Sequence, residues 1–254
     1  MDIKGFRNKL QSGKAVIGPF SKTSDPAFIE VMGFSGFDFI VLDMEHGPVS
    51  IYQLQHLIRA AQIGNCLPIV RIPFEKTTEI GRALDIGAAG IQIPQISNRA
   101  QAMEVVRMAK FHPLGSRGVC RFVRAAGYST IDRQQYFKEA NETIVILQIE
   151  GSDALNNIEE ISSVKGIDII FFGPYDLSQS LGIPGQVEDE RVINRISIIQ
   201  DICRANGIVT GVFVDDMTML KRYANIGIQY LCYSVDVGLF SEYCKKITTE
   251  FNEF

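Results

Sequence analysis

Eight short apolar runs, distributed along the whole chain, constrain the fold of this sequence more than any other feature. The runs are AVIGPF, FDFIVLD, PIVRIP, GIQIP, TIVILQIE, IDIIFFG, GIVTGVFV and YLCYSVD. Most of them are apolar throughout rather than alternating, which is typical of strands in a parallel sheet that is covered on both faces. Amphipathic segments with helical spacing lie between them, for example SIYQLQHLIRAAQIG and NRAQAMEVVRMAK. The sequence therefore predicts an α/β protein built from repeated strand–helix units.

A closed barrel is the expected arrangement of these units. A doubly wound sheet could also give the repeated order, but eight units in 254 residues favour a (β/α)8 TIM barrel. Because no low-complexity linker divides the chain, we expect a single barrel domain over residues 1–254. The longest interval between strands contains Arg117, Arg121 and Arg124. We expect a lid or an anion-binding loop there, in preference to plain surface structure.

Composition and charge exclude several classes of partner. The 25 Lys and Arg residues against 29 Asp and Glu residues give a net charge of -4, and no basic patch predicts binding to nucleic acid. No stretch approaches the roughly 20 apolar residues of a membrane span, and the N-terminal MDIKGFRNKLQSGK lacks the apolar core of a signal peptide. We expect a soluble, cytoplasmic protein without a membrane partner. The five cysteines form no CxxC pair and are interpreted as thiols.

Polar residues follow several of the predicted strands. In a (β/α)8 barrel the chemistry lies at the C-terminal ends of the strands, so these residues are the candidates for a functional site. They are Asp43 and His46 after the second strand, Arg71 after the third, Gln148 and Glu150 after the fifth, and Gly173, Pro174 and Asp176 after the sixth.

Glu150 and Asp176 are candidate metal ligands. Two carboxylates at adjacent strand ends can share one hard divalent cation while leaving coordination positions for water and substrate oxygens. Alternatively, the two residues are N-caps or helix-dipole partners of the helices that follow, and Asp176 before LSQSL fits that interpretation well. The spacing alone leaves both interpretations open.

Arg71 and His46 are candidates for binding and proton transfer. The planar guanidinium of Arg71 suits a carboxylate or a developing enolate oxygen, and the alternative is a structural salt bridge to Asp43 or Asp85. His46 suits a general acid or base whose tautomer is fixed by Asp43. No predicted strand carries a lysine beyond Lys14, which begins the first strand. Imine chemistry on a lysine is therefore not expected.

Taken in chain order, the segments around these residues resemble the HpcH/HpaI family of metal-dependent, pyruvate-specific class II aldolases. The matching segments are GFDFIVLDMEHGP, VRIP, RALDIGAAGIQIPQI, GSRGVCRFVRAAGY, LQIEGSDALNNIEEI, GIDIIFFGPYDLSQSLG and GIPGQVEDERV. The resemblance implies a TIM barrel of the pyruvate-binding type. It also implies reversible cleavage of a 4-hydroxy-2-oxoacid, such as a 2-keto-3-deoxy sugar acid or a related dicarboxylate, to pyruvate and an aldehyde through a metal-stabilised enolate.

The resemblance also implies roles for the residues at the metal and at the reacting bond. By likeness, Glu150 and Asp176 would hold Mg2+, Mn2+ or Co2+. His46 would be the acid or base, and Asp43 would orient it. Arg71 would bind the oxygens of pyruvate.

Further roles implied by the resemblance concern the oxoacid and the assembly. Gln148 would hydrogen-bond the oxoacid, and the turn with Gly173 and Pro174 would cradle its carboxylate. Asp85 would reach the His46 network from a neighbouring subunit. Family members are usually hexamers, built as trimers of dimers that exchange their C-terminal helices.

Two alternative functions accompany this resemblance. A lyase acting on a CoA thioester, like the citrate lyase β-subunit, would need a site for the long CoA arm, and no segment marks one. A catalytically silent oxoacid-binding barrel would lack a catalytic residue, whereas the candidates named above are all present.

The sequence departs from the family in two regions. In the first loop, Pro19 and Phe20 stand where the family often carries Trp or another substrate-facing residue. The loop over residues 111–130 carries an RAAGY ending that only part of the family shares. Because both regions would face the aldehyde half of the substrate, the identity of the aldehyde stays open.

Overall fold

The computed structural model describes residues 1–254 and contains a closed barrel of eight strands, β1 to β8, in which every pair of neighbours is parallel. Every strand begins and ends within two residues of an apolar run in the sequence, so the predicted TIM barrel is confirmed. The strands are β1 Val16–Ser21, β2 Phe39–Asp43, β3 Leu67–Arg71, β4 Gly90–Ile93, β5 Ile144–Ile149, β6 Ile169–Phe172, β7 Val209–Val214 and β8 Tyr230–Val235.

Twelve α-helices accompany the strands, and none of them is long and apolar enough to cross a membrane. Two short 3-10 segments, Phe74–Lys76 and Arg124–Ser129, lie in the connections. The helices are α1 Ile3–Gln11, α2 Pro26–Phe34, α3 Ile51–Ile63, α4 Glu79–Asp85, α5 Arg99–Ala109, α6 Arg133–Ala140, α7 Ser152–Asn156, α8 Ile158–Ser162, α9 Pro174–Ser180, α10 Glu190–Ala205, α11 Met217–Asn225 and α12 Asp236–Phe251.

The inside of the barrel changes from apolar to polar towards the C-terminal ends of the strands. Phe39 and Val41 on β2 belong to the apolar cluster that fills the barrel. Because side chains alternate along a strand, the next inward position on β2 is Asp43. On β3 the apolar Ile69 is followed in the same way by Arg71, and the strand register pairs Asp43 with Arg71. The uppermost layer of the barrel interior therefore carries the charges.

Helix α1, which the sequence patterns did not predict, packs at the opposite end of the barrel. Phe6 of this helix is fully buried within the inner apolar cluster. The Nζ of Lys9 donates to both carboxylate oxygens of Asp38, at 2.7 Å each, just before β2. The Nη1 of Arg7 donates to Oδ1 of Asp168, the residue just before β6. The N-terminal end of the barrel is thus covered, so access to the interior is from the C-terminal end.

Asp236 joins the first strand to the last helix. Its Oδ2 accepts hydrogen bonds from the hydroxyl of Ser21 at 2.7 Å and from the backbone N–H groups of Lys22 and Thr23 at 3.0 and 2.9 Å. Its Oδ1 accepts a bond from the N–H of Val237 at 2.7 Å, and the residue is 3% exposed. These bonds fix the loop after β1 against the start of α12, where the barrel closes between β1 and β8.

Replacing this carboxylate should destabilise the whole barrel. Asp236→Ala leaves several buried donors without an acceptor, and each such group costs roughly 1–3 kcal/mol. We expect a decrease in the free energy of unfolding of about 2–4 kcal/mol, measured by urea denaturation. Asp201→Ala is the matched control, because the Asp201 side chain is 75% exposed, and it should change the stability by less than about 0.5 kcal/mol. Equal stability of the two variants would contradict the role of Asp236 in closing the barrel.

Candidate active site

A cavity of about 360 Å3 opens at the C-terminal end of the barrel. Of the nine site residues predicted from the sequence, six line it, namely His46, Arg71, Gln148, Glu150, Gly173 and Asp176. The other three, Asp43, Asp85 and Pro174, do not. The cavity therefore brings together residues from β2, β3, β5 and β6 or from the loops that follow them, as expected for the functional end of this fold.

A buried ion pair between Arg71 and Asp43 forms the floor of the cavity. The Nε of Arg71 donates to Asp43 Oδ1 at 2.9 Å, and its Nη2 donates to Oδ2 at 2.7 Å. Burial would raise the pKa of Asp43, but the hydrogen bond and the charge of Arg71 outweigh burial and lower it. Burial would likewise lower the pKa of Arg71, but Asp43 and the charge of Glu45 raise it. Both side chains are therefore charged, and the guanidinium is held in one orientation.

This pairing differs from the expected role of Asp43. The salt bridge between Arg71 and Asp43, one of the alternatives for Arg71, is present. The expectation that Asp43 orients the imidazole of His46 does not match the geometry. Its bond to His46 comes from the backbone N–H, at 3.3 Å, and both carboxylate oxygens bind the guanidinium. The physical reason is the strand register, which pairs Asp43 with Arg71 directly across the sheet, whereas His46 lies in the loop beyond the strand.

Glu45 is the residue next to the imidazole, and the sequence patterns gave it no role. Its Oε2 lies 3.8 Å from His46 Nε2 and 3.1 Å from Arg71 Nη1. Although these distances define ion pairs, Oε2 is buried and accepts no well-aligned hydrogen bond. The His46 side chain is 61% exposed, whereas that of Glu45 is only 11% exposed. His46 thus stands at the mouth of the cavity, above a carboxylate with unused hydrogen-bonding capacity.

The carboxylates of Glu150 and Asp176 belong to the opposite side of the cavity. Burial raises the pKa of Glu150; a hydrogen bond from the Nε2 of Gln148 lowers it, and the negative charges of Asp176 and Glu45 raise it further, leaving the pKa above its ordinary value. Three carboxylates in one cavity repel one another, and Arg71 compensates only part of their charge. The uncompensated charge is greatest on the side of Glu150 and Asp176. A cation placed there would relieve this repulsion.

Local structure excludes an N-cap role for Glu150 and Asp176, while the place of Asp176 in the first turn of α9 agrees with the alternative that it is a helix-dipole partner. The N-cap residues of α7 and α9 are Gly151 and Gly173, so neither carboxylate is an N-cap. Asp176 lies in the first turn of α9, and a Cβ on Gly173 would come within 2.6 Å of its Oδ2. The absence of a side chain at Gly173 therefore makes room for the Asp176 carboxylate at the strand end.

The donor set fits a hard divalent cation. No group of three or more His, Cys, Asp or Glu side chains is arranged to hold a metal ion by itself. Mg2+ usually takes one or two protein carboxylates and completes its coordination with water and substrate oxygens. Glu150 and Asp176 supply carboxylate oxygens of that kind at the cavity. The residues present are thus compatible with such an ion.

Pro174 and Asp85 lie outside the cavity. Pro174 is buried as the first residue of α9, so only Gly173 of the expected cradle faces the cavity. Asp85 ends α4, which returns from β3 towards the N-terminal end of β4, and its carboxylate pairs with Arg117 of the same chain. Asp85 therefore does not reach the cavity of its own chain.

The three arginines of the long connection between β4 and β5 have partners within the protein and are not free to bind an anion. Besides the Arg117 pair, Arg121 donates to the backbone oxygen of Ile131 at 3.1 Å. Arg124 donates to the backbone oxygen of Ile86 at 3.2 Å. No residue of 111–130 lines the cavity. Within one chain Arg117 and Arg124 fix the connection to the end of α4 and Arg121 braces the connection internally, contrary to the expectation of an anion-binding loop.

Lys22 and Tyr175 are further residues of the cavity that the sequence patterns missed. Lys22 is half-buried just after β1, and its ammonium pairs with no carboxylate, whereas Arg71 pairs with two. The hydroxyl of Tyr175 donates to Asp215 at 3.0 Å. The sequence feature that could have identified Lys22 is its place two residues after the end of the first apolar run. Gln95 also lines the cavity and has a left-handed backbone, with φ of 60°, which is uncommon for a residue other than glycine.

Comparison with known proteins gives consistent matches over nearly the whole chain. The family model described as HpcH/HpaI aldolase/citrate lyase matches residues 17–242. A 2-dehydro-3,6-dideoxy-6-sulfogluconate aldolase of Pseudomonas putida is 32% identical over 231 residues, which cover 91% of this chain and 90% of that protein. A 5-keto-4-deoxy-D-glucarate aldolase of Shigella boydii is 32% identical over 249 residues, covering 98% and 96%.

A solved structure gives the same result at the level of the fold. The crystal structure of an HpcH/HpaI aldolase from Desulfitobacterium hafniense superposes with a TM-score of 0.91 at 31% sequence identity, covering 98% of this chain and 96% of that one. The resemblance noted in the sequence is therefore confirmed. With a family match over most of its length and aldolase relatives above 30% identity, the chain belongs to the HpcH/HpaI aldolase/citrate lyase family and is a carbon–carbon lyase.

Proposed function

We propose that the protein is a divalent-metal-dependent aldolase that cleaves a 4-hydroxy-2-oxoacid reversibly to pyruvate and an aldehyde. The observation that carries the proposal is one cavity in which the guanidinium of Arg71 and the carboxylates of Glu150 and Asp176 meet, with His46 at the mouth. The aldolase relatives support the same chemistry. The cavity of about 360 Å3 has the volume of a site for a small molecule, which favours an oxoacid over a CoA thioester.

The metal would be held by Glu150 and Asp176, and Mg2+, Mn2+ and Co2+ are the candidate ions. When bound, such a cation acts as a Lewis acid that stabilises negative charge on the oxygens of the oxoacid. Gly173 keeps the space that the Asp176 carboxylate occupies. Gln148 restrains the carboxylate of Glu150 through its hydrogen bond. The two ligands are therefore fixed by different neighbours before any ion arrives.

Arg71 and Gln148 would bind the pyruvate half of the substrate. The guanidinium is already oriented by Asp43 and Glu45, so it presents positive charge to the cavity without reorganising during the reaction. The amide of Gln148 carries two N–H groups, and only one of them is needed for its bond to Glu150. The second N–H can donate to an oxygen of the oxoacid. These donors stabilise the charge that develops on the pyruvate half as the bond breaks.

His46 would move the proton of the C4 hydroxyl. In cleavage the imidazole, through a water molecule, takes this proton while the bond between C3 and C4 breaks and the aldehyde forms. The electron pair stays on the pyruvate half as an enolate, which takes a proton from solvent at C3 to give pyruvate, while His46 releases the proton it accepted to solvent. In condensation the steps reverse and His46 returns the proton. The Oε2 of Glu45 lies 3.8 Å from Nε2 of this imidazole and is the carboxylate nearest to it.

Lys22 would select the aldehyde half. It lines the cavity and is not neutralised by a carboxylate, unlike Arg71. Phe20, Phe213 and Val235 provide apolar wall around it. An aldehyde with an anionic group at its far end would place that group against the ammonium. This arrangement supports an acidic substrate, such as a sugar acid or a dicarboxylate.

We propose further that the protein is a homo-oligomer, a hexamer built as a trimer of dimers, in which α12 packs against another subunit. The outer face of α12 carries large exposed apolar side chains, which in a monomer would face water. Helix α2 adds others beside them, and Phe28 of α2 contacts Phe240 of α12 with ring centroids 6.1 Å apart. Contiguous exposed apolar surface of this kind marks an interaction site. The exposed side chains on α12 are Val237, Phe240, Tyr243, Ile247 and Phe251.

The first test of the function is pyruvate release from a panel of 4-hydroxy-2-oxoacids, with and without EDTA. We expect release that is abolished by EDTA, restored by Mn2+, and fastest with substrates whose aldehyde half is anionic. Glu150→Gln and Asp176→Asn should each lose nearly all activity, because the remaining carboxylate cannot hold a weakly bound hard cation alone. Asp201→Asn, on the surface of α10, should retain full activity. Activity that survives EDTA, or a pyruvate adduct trapped on a lysine by borohydride, would exclude this mechanism.

A second test separates Arg71 from His46. Oxaloacetate decarboxylation forms the same enolate but involves no C4 hydroxyl. Arg71→Lys, which keeps the charge beside Asp43, should slow both aldol cleavage and decarboxylation by about 10²–10³, as for one lost oxyanion donor. His46→Ala should slow aldol cleavage by ~10²–10⁴ and leave decarboxylation comparatively intact. His56→Ala, on α3, is the control. Equal losses of both activities in His46→Ala would show that His46 instead acts on the enolate.

A third test addresses the assembly. Sedimentation velocity at micromolar concentration should give a hexamer for the wild-type protein. The double variant Tyr243→Glu and Ile247→Glu should dissociate into smaller species, because it puts two charges on the apolar face of α12. Lys246→Ala, on an exposed part of the same helix, should leave the assembly unchanged. A monomeric wild-type protein would refute both the proposed packing of α12 and any action of Asp85 on a second subunit.

A further inference from the structure

A row of polar side chains crosses the inside of the barrel beneath the cavity, and the mechanism above uses only its upper end. The Nε2 of Gln92 donates to Gln148 Oε1 at 2.8 Å, and the Nε2 of Gln148 donates to Glu150 Oε1. The hydroxyl of Tyr230 donates to Gln92 Oε1 at 3.4 Å. Gln92 and Tyr230 are both fully buried and neither lines the cavity. Two buried polar side chains thus stand in series behind a residue of the site.

We propose that Gln92 and Tyr230 are positioning residues for the aldol reaction. They fix the direction of the Gln148 carboxamide, so that the cavity receives N–H donors from Gln148 and never its carbonyl oxygen. This inference rests on the proposed function, because it assumes that Gln148 binds the oxoacid and restrains Glu150. It adds two residues that touch neither substrate nor metal.

The direction of every hydrogen bond in the row follows from its upper end. An ionised carboxylate only accepts hydrogen bonds, so Gln148 must turn its Nε2 towards Glu150. Its Oε1 then points down into the barrel and needs a donor, which Gln92 supplies. The Oε1 of Gln92 in turn points at Tyr230, whose hydroxyl donates to it. The pattern is consistent at each step, and each amide oxygen in the row has a donor.

Without Gln92 the orientation of Gln148 would be weakly determined. The terminal torsion of a glutamine is roughly two-fold, so the amide can turn by half a rotation and exchange its oxygen and nitrogen. In the turned state the oxygen of Gln148 would face the carboxylate of Glu150 and the oxygens of the oxoacid, all of which are acceptors. The strand positions below are apolar, for example Ile146 on β5, and offer no other donor. Gln92 therefore supplies the donor that favours the productive orientation.

Neighbouring rings hold Tyr230 in place, so its hydroxyl gives the lower end of the row a fixed position. Its ring stacks on that of Phe39 with centroids 4.2 Å apart and meets Phe6 edge to face at 6.4 Å. Gly211 on the neighbouring strand makes room for it, because a Cβ there would lie 2.6 Å from the ring. The ring thus keeps the hydroxyl in one place. The 3.4 Å bond to Gln92 is the longest in the row, so Tyr230 should contribute less than Gln92.

The test is a double-mutant cycle between Gln92 and Gln148. In the wild-type background, Gln92→Leu should lower kcat/KM for pyruvate release by ~10–100-fold, the usual effect of removing a residue that orients a site group. In the Gln148→Leu background the same change should have less than about a two-fold effect, because its target is gone. Tyr230→Phe should give a smaller loss that also disappears in the Gln148→Leu background. Gln200→Leu, which alters a buried glutamine on α10, is the control and should leave kcat/KM unchanged.

Mn2+ binding, followed by the EPR signal of the free ion, gives a readout besides activity. Gln92→Leu should bind Mn2+ more weakly than the wild-type protein, because Glu150 loses a correctly directed neighbour. Wild-type activity in folded Gln92→Leu, or an equal loss in both backgrounds, would overturn the positioning role. If Gln92→Leu fails to fold, Tyr230→Phe with and without Gln148→Leu is interpreted in the same way. A wild-type protein that releases no pyruvate would instead overturn the proposed function, so the two failures are distinguishable.

Discussion

The site depends on the buried ion pair between Asp43 and Arg71, which the closed barrel imposes by pairing these two residues in register. Such a pair adds little to stability, because taking both charges out of water costs about as much as their attraction returns. Its effect is orientation. A guanidinium with two of its donors already engaged can present only the remaining edge to the cavity, and Glu45 approaches that edge at 3.1 Å. The positive charge therefore occupies a fixed position before substrate enters.

On the opposite side of the cavity, carboxylates lie close enough to repel one another. Burial is the main cause of the raised pKa of Glu150, and the negative charges of Asp176 and Glu45 add to it. The arrangement persists because Gln148 hydrogen-bonds the carboxylate from below and Gly173 leaves space for Asp176. Strain of this kind in a functional site is relieved when a ligand of the right charge binds. In the proposed function, a cation would be held by the carboxylates on one side of the cavity and the guanidinium would face the oxoacid from the other side, so that the orientation of the oxoacid would be determined.

Sequence patterns predicted the barrel well, because its strands are continuous apolar runs whose limits coincide with polar strand ends. The search for polar residues that follow each strand also selected Arg71, Glu150 and Asp176; Arg71 ends β3, whereas Glu150 follows the last residue of β5 and Asp176 lies in the first turn of α9. The sequence patterns did not predict which contacts the loop residues make. The loop after Asp43 could not be placed from spacing, so the neighbour of His46 was taken to be Asp43 when it is Glu45. The length of the loop between β4 and β5 suggested an anion site, but Arg117 and Arg124 bind partners that are distant in sequence and Arg121 binds the backbone of the loop itself.

Gln92 illustrates a different limit. In the run GIQIP it reads as one polar residue at a strand end, similar to many that cap or face solvent. Its role depends on two other strands. On β5, the register pairs Gln92 with Ile146, and Gln148 lies one layer above Ile146. On β8, across the barrel, Tyr230 donates to Gln92. No local pattern connects these three strands, because closure of the barrel alone brings them together. In the proposed function, the strand residues of the pyruvate half are thus braced within the barrel, whereas Lys22 and His46, which are proposed to face the aldehyde half, stand on loops that can vary without disturbing that brace.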